Sequence, residues 1–217
     1  QSPTLLEKCK VRPIIGLVGF IGSGKGAAGD IISELGYTKE SFAKGVKDVA
    51  ATMFGWPRPL LEGDTEESRK WREEPDAFWS ERFGREFTPR EALQKLGTEV
   101  GRDIFHSDFW VLQLANRLRF HNDPVVITDV RFPNEIKWIH EMGGSVIEIQ
   151  RGKQPNWYKF LKATYPDRDN LSRWDIMSDY DVHHSEWAWV GCKTNATIKN
   201  NGTLEDLTEV LKLVIIN

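Results

Sequence analysis

The stretch "GFIGSGKGAAGD", residues 19–30, decides the fold and raises the main question about function. It nearly matches the phosphate-binding loop pattern of Gly, four residues, Gly, Lys and then Ser or Thr, whose hydroxyl holds magnesium. Gly19, Gly24 and Lys25 stand at the expected positions, but Gly26 replaces the hydroxyl residue. The stretch is therefore either a nucleotide site with an altered metal arrangement or only a glycine-rich turn.

The segments on either side of the loop favour a nucleotide site. The preceding "RPIIGLVGF" is continuously apolar, as in a parallel strand covered on both faces, and the following "KGAAGDIISEL" has apolar residues at helical spacing. Backbone N–H groups and the positive end of a helix dipole attract anions there, and a lysine adds a point charge. The residues expected to bind the phosphates are Gly22, Ser23, Gly24, Lys25, Gly26 and Ala27.

Later segments continue to alternate between strands and helices. "PVVITDV" and "SVIEIQR" indicate buried strands, "NATIKN" a final strand, and "GTLEDLTEVLKLVI" a closing helix. The alternation predicts an α/β fold of the three-layer P-loop type with a parallel sheet. In such sheets ligands bind beyond the carboxyl ends of the strands, so Asp129, which ends "VVITD", is expected at the same edge as the glycine loop.

Two segments interrupt this alternation. Residues 57–87 are charged and aromatic with few aliphatic runs, which indicates an insertion or mobile region over a site rather than core. Residues 151–190 form a long polar stretch that is rich in aromatic residues. We therefore expect a single domain over residues 1–217, with a helical acceptor-binding insertion at about 56–120 and a lid-like segment at about 151–190.

The composition narrows the class of protein. A net charge of -3 gives no general attraction to nucleic acid or to an anionic membrane. No apolar run approaches the roughly 20 residues that span a bilayer, and no secretory signal precedes the first strand. The two cysteines form no motif. A cytoplasmic location without a membrane partner is the expectation.

Gly26 leaves magnesium without its usual side-chain oxygen. The metal would then be held by phosphates, water and carboxylates elsewhere, and Asp129 is the candidate ligand because an acidic residue at a strand end can bind magnesium directly or through water. The alternative role of Asp129 is to cap the turn or helix that follows it. We expect Gly26 to change how the metal is held without abolishing catalysis.

Several motifs together resemble those of bacteriophage deoxynucleoside monophosphate kinases. They are "GSGK", "REALQKLGTEVGRDIFHSDFWV", "VVITDVRFPNE" and "DVHHSE". The resemblance covers most of the chain from about residue 13 and is weakest over 57–87 and 151–180. It implies an adenylate-kinase-like fold, ATP and Mg²⁺ as cofactors, and phosphorylation of deoxynucleoside monophosphates in the host cytoplasm. Where family members often carry Asp after the loop lysine, this chain has Gly26.

The resemblance also implies roles for individual residues. Contacts with the acceptor nucleotide are implied for Arg90, Gln94, Gly97, Thr98 and Trp110. Positions facing the reacting phosphates or the acceptor are implied for Asp129, Arg131 and Glu135. The run that resembles a border of the nucleotide site contains Asp181, His183, Ser185 and Glu186. The expected catalytic residues are Lys25, Asp129 and Arg131.

The residue types suit phosphoryl transfer independently of the resemblance. A nucleoside monophosphate already carries an ionised nucleophilic oxygen, so the reaction needs alignment and charge neutralisation rather than a general base. Arginine is preferred where a phosphate is held in a bidentate manner. Arg90, Gln94 and Gly97 lie at i, i+4 and i+7, which places them on one face of a helix.

These residues also have structural interpretations. Arg90 and Gln94 fit a solvated helix face, and Trp110 fits a core aromatic because its helix is apolar. Arg131 fits an ordinary ion pair. The adjacent histidines of "DVHHSE" point apart on any regular element and have no third His or Cys beside them, which argues against a metal site.

A basic patch lies within the lid-like segment. Residues 151–173 contain six Lys or Arg and two Asp, a local charge of +4. In a nucleotide kinase such a segment could fold over ATP and bring an arginine to the transferred phosphoryl group. The candidate arginines are Arg151, Arg168 and Arg173, and the alternative is a solvated basic loop.

Three functions remain open from the sequence. The first is a kinase for free deoxynucleoside monophosphates, with a homodimer as a further expectation. The second is a related phage kinase that phosphorylates a hydroxymethylated base in DNA, which would need Asp129 or Glu135 as a general base and could grip DNA through "RGKQPNWYKFLKATY". The third is a nucleotide-binding protein without catalysis, in which Gly26 marks a decayed site.

Overall fold

The computed structural model describes residues 13–165 and 171–216 and divides them into two compact units. The sheet unit comprises the described residues within 1–41 and 118–217. The helical unit comprises residues 42–117. Each unit has a buried hydrophobic cluster of its own.

Helices and strands alternate along most of the chain. The first half contains β1 (Ile14–Val18), α1 (Lys25–Glu34), β2 (Thr38–Glu40), α2 (Lys44–Phe54), a 3₁₀ turn (Arg58–Leu61), α3 (Glu66–Glu73), α4 (Ala77–Phe83), α5 (Pro89–Lys95), a π-helix (Leu96–Phe105) and α6 (Phe109–Leu118). The second half contains β3 (Val125–Ile127), α7 (Pro133–Glu141), β4 (Ser145–Gln150), α8 (Tyr158–Ala163), α9 (Leu171–Ser178), α10 (His184–Trp187), β5 (Ala196–Lys199) and α11 (Leu204–Ile216).

The sheet has five parallel strands in the order β2-β3-β1-β4-β5. The predicted α/β class with a parallel sheet is therefore confirmed. β1 lies in the middle and is buried along its whole length, which explains its continuous apolar sequence. β2 was not predicted, because its three residues are mostly exposed and carry no apolar run.

The helices cover both faces of the sheet and produce three layers. On one face, side chains of β1 pack in a cluster with α1 and α11, which includes Ile15, Ile31 and Leu211. On the other face, Gly16 of β1 lies against Ile139 of α7, since a Cβ added at Gly16 would stand 2.5 Å from the Ile139 Cδ1 atom. The glycine loop after β1 therefore starts from a fully buried strand in the middle of the sheet.

The helical unit is built around aromatic residues. Its core cluster contains Val46, Ala50, Trp56, Leu61, Phe87, Ala92, Leu96 and Trp110. Leu61 and Phe87 are buried, and the ring of Trp56 stacks on Phe54 at 4.4 Å between centroids. The expectation that residues 57–87 lie outside any core is wrong, because aromatic rings supply there the apolar surface that aliphatic runs supply elsewhere.

The start of α5 is fixed by a side-chain cap and a proline. The Thr88 hydroxyl accepts a hydrogen bond from the Glu91 N–H at 3.1 Å, and Pro89 occupies the first helical position. The helix then continues directly into the π-helix, which was not predicted. Among the residues that the structure describes, no helix has both the length and the apolar character that a membrane span requires.

Candidate functional site

The loop of residues 19–26, which we call the phosphate loop after the sequence pattern that it resembles, runs from the carboxyl end of β1 into the first turn of α1. Gly22 and Gly24 adopt φ angles of 78° and 98°, in the left-handed region that favours glycine. The N–H of Ser23 closes a turn onto the Phe20 carbonyl at 3.1 Å. The first N–H groups of α1, from Lys25 onward, have no partner within their own helix and extend the line of donors in the loop. The loop thus has the geometry of an anion-binding nest.

The side chain of Lys25 folds back onto the start of this loop. Its ammonium group donates hydrogen bonds to the carbonyls of Gly19 and Phe20, the latter at 2.9 Å. Burial, followed by the positive charge of Arg131, lowers the pKa of Lys25 to about 8. The negative charges of Glu186 and Asp129 act in the opposite direction and raise this pKa. The pKa of Lys25 therefore depends on the charges of Arg131, Glu186 and Asp129.

Asp129 and Arg131 follow β3 at the same edge of the sheet. The Ser41 hydroxyl donates a hydrogen bond to Oδ2 of Asp129 at 2.9 Å. Arg131 forms an ion pair with Glu186, and its guanidinium lies 3.5 Å from the Ser185 hydroxyl. The structure thus brings together the three residues expected from the sequence to be catalytic.

Glu135 has a different position from the one that the family resemblance implies. Its side chain is 2% exposed, and its Oε2 accepts hydrogen bonds from the backbone N–H groups of Arg131 and Phe132 at 2.7 and 3.0 Å. It closes the turn that leads into α7 rather than facing the reacting phosphates. The expected direct role of Glu135 is therefore corrected to that of a buried cap.

His183, Ser185 and Glu186 belong to a chain of contacts that ends at Arg131. The exposed His183 accepts a hydrogen bond from the Ser185 N–H through its Nδ1 at 3.3 Å, which caps α10, and the same nitrogen lies 2.9 Å from the Ser185 hydroxyl. Ser185 and Glu186 then contact the guanidinium of Arg131. The "DVHHSE" run thus supplies two residues that hold the guanidinium of Arg131 in place.

The donor set fits a magnesium ion that is bound mainly by nucleotide phosphates. Among the described residues, no group of three His, Cys, Asp or Glu could hold a metal ion. Magnesium in nucleotide sites commonly needs only one or two carboxylates besides phosphates and water. Asp129, whose charge acts on Lys25, is the carboxylate that would serve in this way. At Gly26 an added Cβ would meet nothing within 4 Å. The space that a Ser or Thr side chain would take at this position is therefore not filled by a neighbouring side chain.

The expected acceptor residues belong to the helical unit. Arg90, Gln94 and Thr98 are exposed, and Arg90 forms an ion pair with Glu73 at 2.6 Å. Trp110 is only 6% exposed and donates its indole N–H to the Gly97 carbonyl at 2.7 Å. These contacts favour the core interpretation of Trp110 over direct packing against a nucleotide.

The arginines that the sequence offered as lid candidates lie in different environments. Arg151 is exposed and lines a cavity of about 290 Å³ together with residues 20–23 and 152–155. Arg173 is 2% exposed and donates hydrogen bonds to the carbonyls of Trp187 and Val190 at 3.3 and 2.7 Å. Arg173 is therefore a structural residue and not a lid arginine, because its guanidinium is committed to backbone oxygens. Arg168 lies outside the described residues.

Two contacts of the phosphate loop were missed in the sequence. The ring of Phe20 packs against Trp157, Tyr158 and Trp189, with centroids 5.4, 5.8 and 5.1 Å away. The aromatic richness of residues 151–190 was the available signal for this cluster. The side chain of Asn200 also contacts the Ser23 carbonyl. Its position at the end of the last predicted strand, "NATIKN", was the available signal.

Known proteins resemble this chain in sequence and in fold. Residues 70–159 match the profile of the deoxynucleotide monophosphate kinase family. A protein of Acanthamoeba polyphaga mimivirus, provisionally named as a deoxynucleotide monophosphate kinase, is 37% identical over 153 residues, which are 64% of this chain and 74% of that protein. The deoxynucleoside-5'-monophosphate kinase of Escherichia phage T5 is 44% identical over 91 residues, which are 39% of this chain and 35% of the phage protein.

Among solved structures, shikimate kinase from Aquifex aeolicus superposes with a TM-score of 0.42 at 12% identity, covering 94% of this chain and 96% of that one. The sequence relatives carry the family assignment. Since the mimivirus protein is 37% identical and is matched over 74% of its length, this chain belongs to the deoxynucleotide monophosphate kinase family.

Proposed function

We propose that this protein transfers the γ-phosphoryl group of ATP to the phosphate of a deoxynucleoside monophosphate. The observation that carries the proposal is the convergence of Lys25, Asp129 and Arg131 beside the phosphate loop. Family membership supports the nature of the acceptor, because both viral relatives are named for this activity.

The positive charges in the sheet unit suit a site that binds the phosphates of ATP and stabilises the transferred phosphoryl group. The loop N–H groups and Lys25 bind the phosphates of ATP, while Arg131 stabilises the charge on the group in transit. Glu186 and Ser185 fix the guanidinium of Arg131 before the nucleotide arrives, so little reorganisation is needed during the reaction. The acceptor phosphate is already ionised, and no side chain has to remove a proton.

Magnesium would be held on the Asp129 side of the phosphate loop. A metal held there would neutralise part of the negative charge on the phosphates of ATP. Ser41 orients the Asp129 carboxylate through the hydrogen bond at 2.9 Å, which prepares one oxygen-rich side of the site. This arrangement does not require a hydroxyl at position 26, which accounts for Gly26 in an active enzyme.

The helical unit would supply the acceptor site. Arg90, Gln94 and Thr98 present exposed polar side chains on α5 and the start of the π-helix, and Gly97 allows close approach to the backbone. Trp110 would support this surface from below through its hydrogen bond to the Gly97 carbonyl. Arg151 is the lid arginine that we favour, because it alone of the two described candidates is exposed beside the loop.

The DNA kinase interpretation receives no specific support. A base hydroxymethyl group needs a general base, and Glu135, one of the two candidates, is buried against backbone N–H groups. The interpretation without catalysis also lacks support, since Lys25, Asp129 and Arg131 are present and lie together.

An acceptor competition experiment tests the proposal. The protein is incubated with ATP labelled at the γ-phosphate and with Mg²⁺, in the presence of deoxynucleoside monophosphates, the matching ribonucleotides or hydroxymethylated DNA. We expect label on deoxynucleoside diphosphates. Label on DNA alone, or on no acceptor, would contradict the proposal, and comparison of the deoxy and ribo series measures the preference for the sugar.

A further inference from the structure

Asn200 joins the edge strand of the sheet to the phosphate loop. Its Nδ2 donates a hydrogen bond to the Ser23 carbonyl at 3.0 Å, across 177 positions of the chain. Its backbone N–H donates to the Gln150 carbonyl at 2.7 Å, at the point where β4 and β5 end. The backbone of Asn200 is therefore anchored in the sheet, and its side-chain amide extends from there to the loop.

The contact is close because residue 24 has no side chain. A Cβ added at Gly24 would lie 2.2 Å from Nδ2 of Asn200, which is far inside contact distance. The φ angle of 98° at Gly24 independently favours glycine. The glycine of the phosphate loop pattern and the asparagine after β5 thus fit each other sterically.

This hydrogen bond fixes one peptide group of the loop. In a trans peptide the C=O of one residue and the N–H of the next point in opposite directions. When Asn200 binds the Ser23 carbonyl, the Gly24 N–H is turned away from Asn200. Without that contact a Ser-Gly peptide has several accessible orientations, because glycine restricts the backbone little.

Asn195 provides a comparison at the opposite end of the same strand. Its backbone N–H donates to the Val146 carbonyl at 2.7 Å, and its Oδ1 accepts from the Val146 N–H at 2.8 Å. Both asparagines flank β5 and bind β4 through their backbone. They differ in that the side chain of Asn200 contacts the phosphate loop, whereas that of Asn195 contacts the start of β4.

We propose that Asn200 is a positioning residue for ATP: by holding the Ser23 carbonyl it aims the Gly24 N–H at the phosphates of the bound nucleotide. Asn200 makes no contact with the nucleotide in this role. The inference rests on the proposed function, since it assumes that the loop binds the phosphates of ATP.

Matched alanine variants test the inference. The affinity of the parent, Asn200→Ala and Asn195→Ala for ADP and for inorganic tripolyphosphate is measured by calorimetry, together with the Tm and the KM for the acceptor. We expect Asn200→Ala to weaken both ligands about tenfold, the usual effect of one hydrogen bond, with an unchanged acceptor KM. Asn195→Ala should keep the parent's affinities even where its Tm falls.

Parent-like affinity of Asn200→Ala would overturn the inference, as would equal weakening in Asn195→Ala. Failure of the parent itself to bind ADP would contradict the proposed function instead. If Asn200→Ala does not fold, Asn200→Asp removes the donor at constant volume, and Asn201→Asp adds the same charge one residue later. Weaker binding by Asn200→Asp than by Asn201→Asp would support the inference, and equal binding would overturn it.

Discussion

Arg131 and Glu186 form an ion pair across 55 positions of the chain, and both of its charges act on Lys25. The guanidinium disfavours a second positive charge beside it, while the carboxylate favours one. The pair therefore orients the guanidinium of Arg131 and also contributes to the pKa of Lys25, on which burial has the largest effect. The effect of each partner on the pKa of Lys25 can therefore be measured in single variants.

We expect kcat/KM for ATP to fall as the pH rises through about 8, the pKa of Lys25. Below that pH the ammonium is charged and attracts phosphates, and above it the charge is lost; kcat/KM reports the free enzyme, before ATP raises the pKa. The pH dependence of kcat/KM for the parent and for Lys25→Arg checks this. Arginine stays charged, so the variant should lack this fall in kcat/KM, which is the basic limb of the pH profile. An identical limb in Lys25→Arg would assign the titration to another group.

The two ends of the ion pair should move this limb in opposite directions. In Glu186→Gln a negative neighbour is lost and Arg131 is no longer neutralised, so the pKa of Lys25 falls and the limb moves to lower pH. In Arg131→Gln a positive neighbour is lost, and the pKa rises. An NMR titration of the Lys25 ammonium group measures both shifts without relying on activity. Shifts of the same sign in the two variants would show that the pair does not act on Lys25 as described.

Gly26→Ser should lower the Mg²⁺ concentration needed for half-maximal rate by about tenfold, because it restores a ligand hydroxyl beside the phosphates. The structure has room for it, since an added Cβ at Gly26 meets nothing within 4 Å. Gly26→Ala adds the same Cβ without the hydroxyl and should keep the parent's Mg²⁺ dependence. If neither the parent nor Gly26→Ser transfers phosphate in a Mg²⁺-dependent way, the account of the metal is wrong.

Glu135→Ala should lower the free energy of unfolding by about 2–4 kcal/mol, because two N–H groups of a buried turn lose their acceptor. Glu135→Gln keeps an oxygen acceptor and should cost less. Urea denaturation of both variants measures the difference. If Glu135 instead contacted the acceptor nucleotide, Glu135→Gln would raise the KM for the acceptor while leaving stability unchanged.

The central strands and the closeness of Asp129 to the glycine loop could be predicted because they depend on local patterns and on sheet topology. Buried parallel strands have continuous apolar sequences, and their carboxyl ends share one edge of the sheet, which placed Asp129 near the phosphate loop. β2 has no such pattern, because it is a short and mostly exposed edge strand. A topology rule thus predicts which residues share this edge of the sheet without any side-chain contact.

The direction in which a side chain points could not be predicted in the same way. Glu135 and Arg173 have the charged character of functional residues, but both are buried and satisfy backbone groups of adjacent turns. Asn200 ends the predicted strand "NATIKN" and carries no motif that points to the phosphate loop. Its contact with Ser23 depends on the sheet order, in which β5 lies two strands away from β1.

Transfer of labelled γ-phosphate from ATP to a deoxynucleoside monophosphate in a single turnover, compared between the parent and Lys25→Met, tests the central claim most directly. Methionine keeps the length and the apolar stem of the side chain but removes the charge that the phosphates require. We predict labelled diphosphate from the parent and a rate at least about 100-fold lower from Lys25→Met. Equal rates for the two proteins, or no labelled diphosphate from the parent, would contradict phosphoryl transfer at the loop of residues 19–26.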